Sequence, residues 1–318
     1  MGATFTVSSA VGFGLMAIFA KLAYADGVTV DQLLVVRFGL AGAILLAVAG
    51  ATGALRGLSR RTVLAALGMG AFGYAAQAGL YLAAVSRVDA SQVALVFSAY
   101  PVLVTVGAIA IGRDRASTRR MVALVTAMAG LVLVLDGASR GRFDVAGVVL
   151  SFGSALVYTC YILIGDRVVA DARPVPLTAL VCVGAFVSCT VGRVATGRTS
   201  MDIGPVGWSW LVALVLVSTV GAILLFFAGL ARVGPSHAAL LSVVEPVVTV
   251  VAAALAFGER LTLAQTLGGV LVLAAVVLVQ WPARSPEASA GDLVEDPLGA
   301  LAAGGVECLA AGEVHRRA

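Results

Sequence analysis

The chain has 318 residues, of which 60% are hydrophobic and only 12% charged, and its mean hydropathy is +1.04. A soluble domain has about a quarter of its residues charged and could not hide this much apolar surface, so composition excludes an ordinary globular fold. The net charge of +4 matters less than where the basic residues fall, because those beside membrane spans set orientation.

A hydrocarbon core of about 30 Å needs roughly 20 apolar residues in a helix. Ten stretches meet that need: 5–24, 32–51, 62–84, 90–111, 118–136, 145–164, 176–195, 208–230, 236–257 and 263–281. Backbone polar groups in lipid must be satisfied within each segment, so these are predicted helices. Barrel strands would alternate apolar and polar residues, and these stretches do not.

Before the first span there is no basic region and no cleavage site of the signal-peptide kind. The Gly2 myristoylation pattern adds nothing to a chain that already spans the bilayer. Lys21 closes the first span, and Arg37 lies some six residues into the second. The third carries Gln77 and Tyr81 at i,i+4, the fourth Tyr100 and Pro101, and the sixth Tyr158, Thr159 and Tyr161. His237 begins the ninth, followed by Ser242, Glu245, Pro246 and Thr249. Residues 282–318 are rich in Pro, Ala, Gly and acids without helical periodicity, and are expected to be a disordered cytoplasmic tail.

The two halves repeat. Residues 86–135 lie on 231–280 without a gap, with 15 of 50 positions identical, among them Arg87 on Arg232, Ser91 on Ser236, Pro101 on Pro246 and Arg115 on Arg260. The expected division is 1–138 and 139–283, two five-helix repeats, with 284–318 as the tail. Five spans per half is an odd number, so the second repeat enters the membrane in the opposite sense. With the N-terminus inside, thirteen Lys and Arg face the cytoplasm and seven the outside, which predicts both termini in the cytoplasm.

Several chemistries are excluded. The single lysine, Lys21, is followed by leucine, so there is no Walker A loop, and the only histidines, His237 and His315, cannot form HExxH. The four cysteines show no metal-ligand spacing, and no metal, cofactor or nucleic-acid partner is expected. The expected partners are a small-molecule substrate and the bilayer, with the chain a monomer or a homodimer.

With Lys21 closing the first span, Arg37-Phe38 in the second, Pro101 and Pro246 in the fourth and ninth, and Gly258-Glu259-Arg260-Leu261-Thr262 after the ninth, the chain resembles the EamA type of the drug/metabolite transporter superfamily. Everything but the tail takes part. The first repeat has Arg113-Asp114 where the family usually has Gly-Glu, and the family's Trp in the first span is missing. The resemblance implies a secondary carrier, not an enzyme, that exports amino acids or other small metabolites across a bacterial plasma membrane.

Glu245 lies about ten residues into its span, where a carboxylate costs several kcal/mol unless paired, solvated or protonated. It is read as the partner of a substrate amine or as a protonatable coupling group; His237 is the second coupling candidate. Ser242 and Thr249, at i−3 and i+4, extend the polar stripe, and Pro246 frees a carbonyl inside the span. Tyr100 holds the equivalent place in the first repeat and, with Gln77, Tyr81 and Tyr158, is a candidate cavity group. Arg37 either binds a substrate carboxylate or fixes helix packing. Lys21, Pro101, Pro246, Glu259 and Asp114 are assigned structural roles, with Glu259 and Asp114 expected to pair with the adjacent Arg260 and Arg115. The expected function is a secondary exporter of small polar metabolites. The alternatives are a membrane-embedded enzyme or scaffold, and a drug pump, which an aromatic content of 7% disfavours.

Overall fold

The computed structural model describes residues 1–112, 117–139, 144–168, 173–198 and 200–280. Asp114, the predicted tail and the side chain of His237 lie outside what is described. Every regular element among the described residues is helical.

The first span is α1 (Gly2–Gly14) and α2 (Met16–Ala25), and the second is α3 (Val30–Ala51). A capping box starts α3: the Thr29 hydroxyl accepts from the Gln32 N–H, and the Gln32 side chain accepts from the Thr29 N–H. The third is α4 (Arg60–Gly68), a π-helical segment Met69–Tyr74, and α5 (Ala75–Val85). The fourth is α6 (Ala90–Phe97) and α7 (Tyr100–Ala110), followed by α8 (Thr118–Ser139), α9 (Val145–Val168) and α10 (Pro174–Ala195). The eighth is α11 (Pro205–Val215), a second π segment Leu216–Gly221, and the start of α12 (Ala222–Ser242). α13 (Val244–Phe257) completes the ninth and α14 (Leu263–Gln280) is the tenth. Seven of these spans are long and apolar enough to cross a bilayer, and three shorter apolar helices, Met121–Val134, Val244–Phe257 and Leu263–Leu278, make up the ten.

Two expectations are corrected. The loop predicted between the eighth and ninth spans has helical backbone, because α12 runs through it; Arg232 closes the preceding turn by donating to the Ala228 carbonyl at 2.6 Å. Pro101 and Pro246, expected inside continuous helices, instead sit in the first turns of α7 and α13, just after breaks at Ser98–Ala99 and Val243. Proline lacks an N–H, and a first-turn N–H has no partner within the helix, so this position costs it nothing.

Close packing fixes where the elements lie. A Cβ on Gly2 would meet Val233 and Arg232 at 2.7 and 2.8 Å, and one on Gly14 would meet the Glu245 carbonyl oxygen at 2.7 Å. Between Val233 and Glu245 the chain therefore passes from the level where the first span begins to its middle. We call the end of the bundle bearing Gly2 the near end and the opposite one, where Ala25 and Gly258 lie, the far end.

Candidate functional site

The breaks in the fourth and ninth spans place Tyr100 at the start of α7 and Glu245 in the first turn of α13. A helix N-terminus carries a partial positive charge and free N–H groups, which is why a carboxylate is tolerated there at mid-span depth. Both residues line one cavity of 380 Å³ together with Arg37, Gln77, Tyr81, Tyr158 and Ser242. The structure thus brings seven of the eight predicted binding residues to one space.

Thr249 is the exception. It is 2% exposed and borders only a neighbouring cavity of 40 Å³, where its hydroxyl faces the Gly14 carbonyl at 2.8 Å and the Glu245 carbonyl at 3.2 Å. It ties α1 to α13 at the level of the site. Gln77 is also engaged, its side-chain amide donating to Ser154 Oγ at 3.2 Å while its main-chain carbonyl accepts from that hydroxyl at 3.0 Å.

The two charges in the cavity differ in their surroundings. The Glu245 carboxylate has no hydrogen-bond or ion-pair partner among the described residues. Arg37 is 3% exposed and has only neutral partners there: Nε–H donates to Thr219 Oγ1 at 3.2 Å and Nη2–H to the Tyr74 hydroxyl at 3.4 Å. Thr219 lies within the second π segment and Tyr74 ends the first, so the wider π turns aim both groups at one guanidinium. One side of the cavity can therefore receive a cationic group and the other an anionic one.

Between them runs an aromatic wall. Five of the six tyrosines (Tyr74, Tyr81, Tyr100, Tyr158 and Tyr161) line the cavity, joined by Phe13, Phe97, Phe226 and Phe227. Tyr81 meets Phe97 edge-on at 5.2 Å, Tyr100 meets Tyr158 edge-on at 4.9 Å, Tyr158 stacks on Tyr161 at 6.0 Å, and Tyr161 leans on Tyr74 at 5.9 Å. This corrects the argument from a low aromatic content: 7% is an average over the chain, and the tyrosines are concentrated at one place. Tyr74 and the phenylalanines escaped the sequence reading because an aromatic in an apolar span has no local signal of the face it occupies.

The cavity lies toward the near end. Tyr158 and Tyr161 are in the second half of α9, Thr178 is in the first turns of α10, and Phe226 and Phe227 precede Val233 by two turns. Between the cavity-lining residues and the far ends of their helices, α5, α6 and α13 carry Val85, Val93 and Ala253, buried members of one apolar cluster.

Every ion pair among the described residues is at that far end: Lys21 with Glu259 and Asp89, Arg87 with Asp144, and Arg193 with Asp31. Glu259 was expected to pair with Arg260 beside it. Instead it reaches 238 residues back to Lys21 Nζ at 2.8 Å and takes N–H groups of Ala90 and Ser91 and the Ser91 hydroxyl. Gly258, with φ of +65°, turns the chain out of α13 in the left-handed conformation, which aims the next residue across the bundle. Desolvation raises the Glu259 pKa, but Lys21 and Ser91 outweigh it and hold the carboxyl below its ordinary range.

The sequence matches the EamA-like transporter family twice, over residues 1–136 and 145–281. The chain therefore belongs to that family and is a multi-pass membrane protein. It is 28% identical over 276 residues to the uncharacterized transporter YcbK of Bacillus subtilis, covering 84% of this chain and 88% of the relative. It is also 28% identical over 216 residues to an uncharacterized transporter of Archaeoglobus fulgidus, covering 68% and 75%. A solved crystal structure with 18% identity superposes with a TM-score of 0.62 over 87% of this chain and 95% of its own, a shared fold.

Proposed function

We propose that this member of the EamA-like transporter family is a secondary active carrier in the plasma membrane that exports small polar metabolites such as amino acids by alternating access. It performs no chemistry on its cargo. The observation that carries this reading is the pairing, in one cavity of 380 Å³, of a carboxylate without a partner among the described residues and a guanidinium with only neutral partners among them. A buried unpaired charge is costly and is retained where a ligand supplies its counter-charge. A volume of this size is in the range of small-ligand sites, about 300–1,000 Å³. Glu245 would take the substrate's cationic group or the coupled proton, and Arg37 its carboxylate. The matching of the family to residues 1–136 and again to 145–281 supports two repeats rocking about the site.

Export is the direction proposed because the cavity lies toward the near end, which the arginine bias expects in the cytoplasm. The aromatic wall favours a second reading, a carrier of bulkier organic cations, since such rings attract ammonium groups. Both are tested by efflux from proteoliposomes loaded with a mixed pool of amino acids and organic cations, with and without a pH gradient. Selective loss of zwitterions supports the first reading and loss of cations alone the second. Retention of every compound by folded protein overturns both.

A further inference from the structure

The α6 helix begins at Ala90, and the residue before it, Asp89, is of the type that ordinarily caps its own helix. Its side chain makes no capping bond. The first N–H groups of α6 are taken instead by Glu259, from the other half of the chain: Ala90 N–H on Oε1 at 3.1 Å and Ser91 N–H on Oε2 at 3.1 Å. The Ser91 hydroxyl on Oε2 at 2.6 Å and Lys21 on Oε1 complete the set, so both carboxylate oxygens are doubly bonded to donors. The Glu259 side chain is 6% exposed, and Phe257 shields Lys21 from 5.4 Å. Asp89 waits 3.7 Å from the same ammonium.

The two elements joined here are the ones that carry the site. α6 leads from Ser91 to Phe97 and the break before Tyr100; α13 leads from Glu245 to Gly258 and Glu259. The far end cannot part between them while Glu259 caps α6. We propose that Glu259 is an exchangeable cap, a latch that closes the far end while the cavity lies toward the near end. When the halves part there, Asp89 turns onto the N–H groups that Glu259 leaves, so opening does not strand the helix terminus. The inference rests on alternating access, and its test requires no substrate.

The test places a thiol in the apolar layer behind the latch, as Ala253→Cys, in the full chain in lipid nanodiscs. A hydrophilic maleimide is added and modification is read at residue 253 by mass spectrometry, so the native cysteines stay in place. With the latch intact, residue 253 is expected to be unreactive. With Glu259→Ala, or with Lys21→Gln, which spares the cap itself, its labelling rises about tenfold or more, the population shift that loss of a latch produces. Adding Asp89→Ala to Lys21→Gln brings labelling back down, because the open form has then lost its own cap. Equal labelling with and without the latch, in folded monodisperse protein, overturns the inference. Unchanged labelling on adding Asp89→Ala overturns the exchange. Absence of transport with latch-dependent labelling would sink the carrier reading and leave the latch standing.

Discussion

Arg37 Nε–H donates to Thr219 Oγ1 at 3.2 Å, a bond between residues 182 apart in the sequence that joins the second span to the eighth beside the cavity. The other arm of the guanidinium reaches Tyr74 in the third, so one side chain holds three spans at once. Arg37→Lys is expected to lose this grip, because an ammonium on a flexible stem cannot reproduce a planar fork. Hydrogen bonds from a charged donor are worth about 1.5–3 kcal/mol each. We expect the melting temperature in detergent to fall by several degrees, along with transport; an unchanged melting curve would show that the fork carries no packing.

Glu245→Gln should separate function from stability. Among the described residues the carboxylate has no partner to lose, and a neutral amide lifts the cost of burying its charge, so the variant should be as stable as the parent or more stable by about 1–3 kcal/mol. Transport should fall by about 100-fold or more and lose its response to a pH gradient. Flux and melting measured on one preparation decide the matter, and a large stability loss with proportionate flux would reassign Glu245 to packing.

The aromatic wall predicts a difference between removing a hydroxyl and removing a ring. Tyr158→Phe keeps the stacking on Tyr161 and the edge contact with Tyr100, and should alter substrate affinity without changing the fold. Tyr158→Ala should cost about 1–3 kcal/mol, less than the loss of a fully buried ring, because Tyr158 is half-buried and already faces the cavity. Substrate binding and thermal unfolding of the two variants should therefore diverge.

The Glu259 carboxyl is held below its ordinary range in the folded chain, so it contributes stability at neutral pH. Because its folded pKa is depressed, that contribution is complete above the unfolded value, about 4.3. It is lost as pH falls below that value and through the folded one. Melting temperature followed from pH 7 to 3 should drop at the acid end, and Glu259→Gln should flatten that drop. An identical profile for both would mean that other carboxylates govern acid sensitivity.

Gly14→Ala tests how closely α1 approaches the site. The added methyl would lie 2.7 Å from the Glu245 carbonyl oxygen and 3.0 Å from Val248, so α13 must shift. Overpacking of this kind costs about 1–3 kcal/mol. Flux should suffer more than stability, since the displaced backbone is that of Glu245.

The sequence showed the ten spans because lipid imposes a long apolar run that nothing else in the chain imitates. It also showed the midplane carboxylate, because a charge in such a run stands out against its neighbours. The helix breaks before Tyr100 and Glu245 were harder to see: proline marks a first turn and a kink alike, and only the neighbouring helices decide between them. The partner of Glu259 was invisible, since Arg260 beside it offered a local answer and Lys21 lies 238 residues away. The aromatic wall was hidden for a different reason, that helices apolar all round carry no stripe to tell which face meets a cavity.

The π segments have a consequence for how such a chain can be shortened. A π turn closes with one residue more than an α turn, so deleting a single residue between Met69 and Tyr74, or between Leu216 and Gly221, would let that span relax into unbroken α-helix. The α segments on either side would keep their rotational register, because the wide turn absorbs the extra residue, and only the groups that the bulge itself presents would move. Tyr74 or Thr219 would turn away from Arg37 while every span kept its length and its apolar face. A chain altered in this way would insert, fold and look ordinary by composition, and would have an empty-handed guanidinium at its centre.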